Sequence, residues 1–285
     1  MTGMTTPVLL PPKMDFVFKR IFGNEKHPNI LISFLNAVLT PKDLIQSVQL
    51  KDTTIEKNYL EDKYSRLDVK ATTDKGEHIN IEIQLKDEYN MIKRSLYYWS
   101  KLYEEQLEKG EDYEKLSRTI CINLLDFNLL DHTKFHSMYR LKDCQTNEEL
   151  TDVMELHFIE LKKMKDVKHI EEIKTKLEAW LYFINQPESE LVQELEKVEV
   201  DIKEAKDELI RLSGDKEERA RYEKRRESLL NKVSALKNAK EKGIQQGARK
   251  EKIEIAKNLL DILDNETISL KTGLSVSEVQ QLRKG

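Results

Sequence analysis

Cysteine, glycine and proline are all scarce in this chain, at two, nine and six of 285 residues. Cys121 and Cys144 are not spaced as CxxC, which excludes a disulfide framework or zinc ribbon and fits a reducing cytoplasm. Cys121 lies in the apolar run Thr119–Leu125, where a small buried thiol is the ordinary reading. No stretch approaches the ~20 apolar residues of a membrane span. The opening MTGMTTPVLLPP lacks a basic segment followed by an apolar one, so no secretory signal is expected. An excess of positive charge is missing as well. The net charge is −4, so any nucleic-acid groove must be built locally. What is abundant is charge of both signs, 35 % of residues against 39 % apolar, the mixture of a folded protein with long solvated helices.

Along the chain, residues 1–13 read as a loose arm. Helices are expected over Met14–Phe22 and Pro28–Leu39, the second with Leu31, Phe34, Leu35 and Val38 on one face. Val48–Leu50 reads as a short strand, and Arg66–Leu85 as a β-hairpin turning at Asp74-Lys75-Gly76. Ile92, Leu96, Trp99, Leu102, Tyr103 and Gln106 recur at helical spacing. Thr119–Leu125 has the continuous apolar character of a strand covered on both faces. A strand near Glu155–Leu161 and a helix near Glu171–Asn185, with Trp180 and Phe183 at core spacing, complete a first domain over residues 1–187.

Beyond Pro187, Leu191, Leu195, Val198, Ile202, Ala205, Leu209 and Leu212 alternate by four and three residues, a heptad seam. With Ser213-Gly214-Asp215 as a turn and Tyr222, Leu229, Val233 and Leu236 on a second helix, residues 188–242 read as a helical hairpin or coiled-coil arm, which also favours a homodimer. Residues 243–285 form a small helical tail, in which Ser275 and Glu278 have capping-box spacing. The stretch TGLSVSEVQQL has the look of a helix-turn-helix, but Gln280, Gln281, Arg283 and Lys284 are a thin set of DNA-reading groups, and a packing module is the better reading.

The chemistry concentrates in the hairpin. With the turn on Lys75, residues whose numbers sum to 150 face one another, and Leu67, Val69, Ala71, Ile79, Ile81 and Ile83 make one apolar face. The other face sets Asp68 opposite Glu82, Arg66 opposite Gln84 and Lys70 opposite Asn80. Facing carboxylates repel by roughly 0.2–1 kcal/mol, a cost that a cation between them converts into affinity. Mg²⁺ suits such a place, because it takes carboxylate oxygens and retains waters for a phosphate substrate. A metal on Asp68 and Glu82 would polarise a phosphodiester. Gln84 would position water, and Lys70 or Lys86 would stabilise developing charge. The bland alternative is the solvated side of an amphipathic hairpin.

The run LDVKATTDKGEHINIEIQ, preceded by MDFVFKRIFGNEKHPNILISFLNAVL and followed by RSLYYWSKLYEEQLEKGEDYEKLSRTICINLLDF, resembles the Rpn family of recombination-promoting nucleases, also called PD-(D/E)XK nuclease family transposases. The tail GIQQGARKEKIEIAKNLLDILDNETISLKTGLSVSEVQQL is similar to that family's C-terminal segment. The resemblance implies an α/β restriction-endonuclease-like core with a mixed sheet, and a DNA endonuclease that uses Mg²⁺ or Mn²⁺. It implies Asp68 as the motif aspartate, Glu82 as the motif acid and Gln84 in the place where the wider superfamily has lysine. Asp15 and Lys19 match the family's opening pattern and either approach the site or support the first helix. Arg94, Tyr98 and Lys101 share a helix face that either grips DNA phosphate, together with Arg66 and Lys86, or is simply solvated. His132 and His136 read as surface histidines without a third ligand. The competing function is a nuclease fold that binds DNA or protein without cutting.

Overall fold

A β-hairpin with an apolar inner face needs cover, and the fold supplies it on both sides. The computed structural model describes residues 8–51 and 69–284, apart from the side chains of Leu229 and Lys232. β1 (Val48–Leu50), β2 (Val69–Thr73) and β3 (His78–Gln84) pair antiparallel. The observed partners Val69–Ile81, Lys70–Asn80, Ala71–Ile79 and Thr72–His78 keep the expected register. Gly76, at φ +80°, takes the left-handed conformation that the turn requires. Arg66, Leu67 and Asp68 lie outside the described residues, and with them the pairings Leu67–Ile83, Asp68–Glu82 and Arg66–Gln84.

β3 then pairs parallel with β4 (Thr119–Leu125), and β4 parallel with β6 (Glu149–Glu160). β5 (His136–Lys142) closes the far edge antiparallel to β6, giving a mixed sheet in the order β1-β2-β3-β4-β6-β5. β4 is buried at every position, as its continuous apolar run predicts. One face of the sheet is covered by α3 (Met91–Glu104), whose Met91 packs with Cys121, Leu125, Leu156 and Phe158. α1 (Asp15–Phe22) and α2 (Pro28–Leu39) contact β3 and β1 from the other side. Their Phe18, Phe22 and Phe34 gather around Trp180 of α4 (Lys176–Asn185), with ring centroids 5.5 Å apart for Phe22 and Trp180. This is the α/β architecture with a mixed sheet that the resemblance implies.

The heptad seam folds differently from the expected arm. α5 (Glu190–Val198) and α6 (Val200–Gly214) are separate helices, because Glu199 is extended between two β-branched valines. Leu191, Leu195, Ile202, Ala205, Leu209 and Leu212 are buried, but α6 packs on α1, α2 and α4, and α5 on α4. A period near 3.5 asks only for an apolar partner along one stripe, and the neighbouring core supplies it. α7 (Lys216–Leu259) runs for 44 residues and leaves Leu230 and Leu236 exposed. The chain divides into compact units at Met1–Tyr222 and Glu223–Gly285, not at the boundaries expected after 187 and 242. In the second unit, Ala256 of α7, Ile268 of α8 (Asn265–Thr272) and Val279 of α9 (Val276–Lys284) form a small core. Ser275 and Glu278 make the expected capping box, with Ser275 N–H donating to Glu278 Oε2 at 2.8 Å and Glu278 N–H to Ser275 Oγ at 3.3 Å.

At the β4–β6–β5 side of the first unit, polar residues replace apolar ones inside the sheet. Glu155, 1 % exposed, accepts from Arg118 at 2.6 Å and from Arg140 at 2.5 Å, and bonds His157 Nε2 at 2.7 Å. His157 Nδ1 lies 2.8 Å from His136 Nε2, and the two rings stack. His136 is therefore not the surface histidine expected, because its region forms strand β5 rather than irregular chain. His132 does stay exposed, bonded to Ser137 Oγ at 3.0 Å.

Two outcomes follow. Leu209→Ala opens a cavity within the first unit and costs about 2–5 kcal/mol in urea denaturation; a coiled-coil arm would instead show a change of mass by light scattering with unit stability kept. Burial tends to raise the Glu155 carboxyl, but the hydrogen bond to His157 and then Arg118 overcome this and hold it at about 2, against 4.5 ordinarily. Burial, and then His157, pull His136 from 6.5 to about 4. Both groups favour the folded state in their high-pH form. The His136 contribution fades as pH falls from 6.5 towards 4, and that of Glu155 from 4.5 towards 2. The urea midpoint of Glu155→Gln should change less over the lower window than that of the native chain; parallel curves would remove Glu155 from the account.

Candidate active site

Glu82 sits in the middle of the sheet. It lies on β3 directly beside Asn123 of β4, and only 1 % of it is exposed. A solvated hairpin face is thereby excluded, since a carboxylate taken out of water costs several kcal/mol unless it is paired. The pairing comes from α3, which lies across the same face. Arg94 Nη2 donates to Glu82 Oε2 at 2.7 Å, Arg94 Nη1 to Gln84 Oε1 at 3.0 Å, and Arg94 Nε to the Tyr98 hydroxyl at 2.9 Å. The guanidinium also stands 5.3 Å from the Tyr98 ring centroid. Burial works against its charge, but Glu82 and then Tyr98 raise its pKa above the ordinary value. One planar fork thus holds the two motif side chains of β3, the geometry for which arginine is suited and lysine is not.

Gln84 is held at both ends, because its amide N–H₂ also donates to the Lys86 carbonyl at 3.1 Å. Its oxygen is therefore turned toward Arg94 and its nitrogen toward the backbone after β3. Asn123 donates to Ser95 Oγ on α3 and to the His157 carbonyl, both at 2.9 Å, tying the helix to the strand beneath it. Cys121 lies on this same face. Burial, and then the Glu82 carboxylate, push its thiol far above the ordinary value, so it is an inert packing group.

The other expected site residues are distributed around this centre. Lys70 pairs with Glu105 at the end of α3, and Lys101 with Glu104 at 3.2 Å. Lys86 is exposed just past the end of β3. Asp15 opens α1, accepting from the Phe16 N–H at 2.7 Å, and Lys19 follows one turn later on that helix, which contacts β3. Asp68 and Arg66 lie outside the described residues. Sequence reasoning placed Arg94 on a face that either grips DNA or is solvated, and missed its bond to Glu82. It also missed Asn123, although a lone amide inside the run TICINLL was the available signal.

The donor chemistry fits a hard divalent cation. Glu82 offers a carboxylate, Gln84 an amide oxygen, and Asn80, buried on the same face, has an amide with no hydrogen-bond partner among the described residues. No cluster of three or more His, Cys, Asp or Glu occurs among the described residues.

Arg94→Ala leaves the Glu82 charge without its guanidinium. The expected loss is about 3 kcal/mol, the low end for a broken buried pair, because 26 % of the Arg94 side chain is exposed. Glu82→Gln in the Arg94→Ala background should recover part of that loss. Strictly additive single and double variants in urea denaturation would show that the two groups are not coupled.

The profile of one protein family, described as PD-(D/E)XK nuclease family transposase, matches residues 12–239, four-fifths of the chain. No curated protein and no solved structure matches. The match spans the whole mixed sheet and the helices that bury Glu82, and no described helix is long and apolar enough to cross a membrane. The chain belongs to the PD-(D/E)XK nuclease family transposases.

Proposed function

We propose that this protein is a divalent-metal-dependent DNA endonuclease that hydrolyses phosphodiester bonds in DNA recombination or mobile-element processes. The observation that carries this reading is the burial of Glu82 on the central strand, with Gln84 two residues on and both gathered by Arg94. A buried acid that merely stabilised the sheet would be a poor solution, since an apolar pair of the same volume is often as stable or better.

Asp68 and Glu82 would hold Mg²⁺ or Mn²⁺, the register that pairs Val69 with Ile81 setting them opposite each other if it continues by one residue. Bound there, the ion supplies Lewis acidity to the scissile phosphate. Gln84 orients the attacking water through its carbonyl, since a neutral amide does not take up a proton near neutral pH. Lys70 and Lys86 place positive charge near the phosphate, and Arg66 and Lys101 hold the DNA backbone. Arg94 aligns the Glu82 carboxylate that would hold the ion. Asp15 and Lys19 support the site from α1.

One observation favours a second reading. Arg94 already occupies a cation's place against Glu82, as it would in a nuclease fold that binds DNA or protein without cutting. The two readings separate in a plasmid assay. Supercoiled plasmid should be nicked in Mg²⁺ or Mn²⁺, protected by EDTA, and left intact by Asp68→Ala and by Glu82→Ala. Nicking that survives EDTA or Glu82→Ala sinks the metal mechanism, and an intact plasmid with the native chain in both metals supports the second reading.

A further inference from the structure

The net charge of −4 conceals two units of opposite sign. Met1–Tyr222, which carries Glu82 and Gln84, has 34 Lys and Arg against 43 Asp and Glu, a net of −9. Glu223–Gly285 has 14 against nine, a net of +5. A unit of net −9 repels a polyanion at long range, so a nuclease built on it needs attraction from elsewhere.

The positive charge is concentrated on the exposed part of α7. From Lys224 to Lys250 there are nine Lys and Arg and two acids, Glu227 and Glu241. At 1.5 Å per residue this stretch is about 40 Å long. At 3.6 residues per turn, a strip roughly 120° wide collects Lys224, Arg225, Lys242, Arg249 and Lys250, and neither acid falls on it. All five side chains are exposed. Arg249 shares its charge with Glu278 at 3.0 Å, whereas Lys224, Lys242 and Lys250 make no ion pair among the described residues. Leu230 and Ile244, also exposed, lie on the opposite side of the helix, so the cationic strip is not the border of an apolar seam.

Exposed lysines held in a row with no acid among them repel one another, and a rod of regularly spaced phosphates relieves that repulsion by releasing condensed counterions. We propose that this strip of α7 is a binding surface for the phosphate backbone of duplex DNA, independent of base sequence. The proposal rests on the reading of the protein as a DNA-acting nuclease and adds the element that supplies its nonspecific affinity.

The test uses the full chain in EDTA, where cutting does not interfere. Anisotropy of a labelled duplex of arbitrary sequence gives the dissociation constant across a salt series. Lys224→Gln/Lys242→Gln/Lys250→Gln should reduce the slope of log affinity against log salt by about 2–3, near 0.9 for each phosphate no longer neutralised. Arg226→Gln/Lys237→Gln/Lys240→Gln removes the same charge from the opposite side and should change the slope by less than about 1. Binding is read in EDTA with the native active site, so failure of the plasmid assay would not disturb this result. Equal slopes for the two triple variants, an unchanged slope in the first, or tighter binding of an RNA duplex of equal length would each overturn the proposal. So would a first triple variant that changes the mass by light scattering in place of the slope.

Discussion

A carboxylate enclosed by a β-sheet and an α-helix is the constraint around which the first unit is arranged. Glu82 cannot sit at 1 % exposure without a cation, and Arg94 can reach it only if α3 lies lengthwise over β3 and β4. That placement is secured from both ends. Met91 packs into the apolar cluster under the first turn, Ser95 receives the Asn123 amide, and Trp99 donates to the Thr119 carbonyl at 2.9 Å. The salt bridge alone would gain little over an apolar pair. Its value lies in holding an acid, an amide and a cation together at one place on the sheet.

The same trade recurs at the other side of the sheet without an evident chemical use. Glu155 is enclosed by Arg118, Arg140 and His157, which come from the residue just before β4, from β5 and from β6. The network ties the edge strand β5 to the parallel centre of the sheet, which apolar contacts alone would do less selectively. A buried polar network of this kind is costly when incomplete, so each partner specifies the position of the others.

Electrostatics also separates the two compact units. The unit with the candidate active site is acidic and the other is basic, so the modest overall charge describes neither. The second unit has a small apolar core around Ala256, Ile268 and Val279, and most of α7 outside it is covered by charge rather than by packing. A helix with so little burial depends on its own propensity and on charge pairs such as Lys237 with Glu241.

Local pattern alone determined much of this fold. Period-two alternation about Gly76 set the hairpin register, the continuous apolar run set β4, and α2 begins at the proline and ends where its apolar stripe stops. The motif residues Glu82 and Gln84 were legible for the same reason, since strand alternation puts both on one face. What tertiary structure decided was the partner of each stripe. The repeat from Leu191 to Leu212 states that a helix face must be covered but not by what, and α1, α2 and α4 of the first unit cover it. Likewise Arg94, Tyr98 and Lys101 share a helix face in the sequence, but whether that face meets water, DNA or a buried acid depends on where α3 docks. Burial and charge pairing between distant residues depend on docking, and helical or strand periodicity carries no information about it.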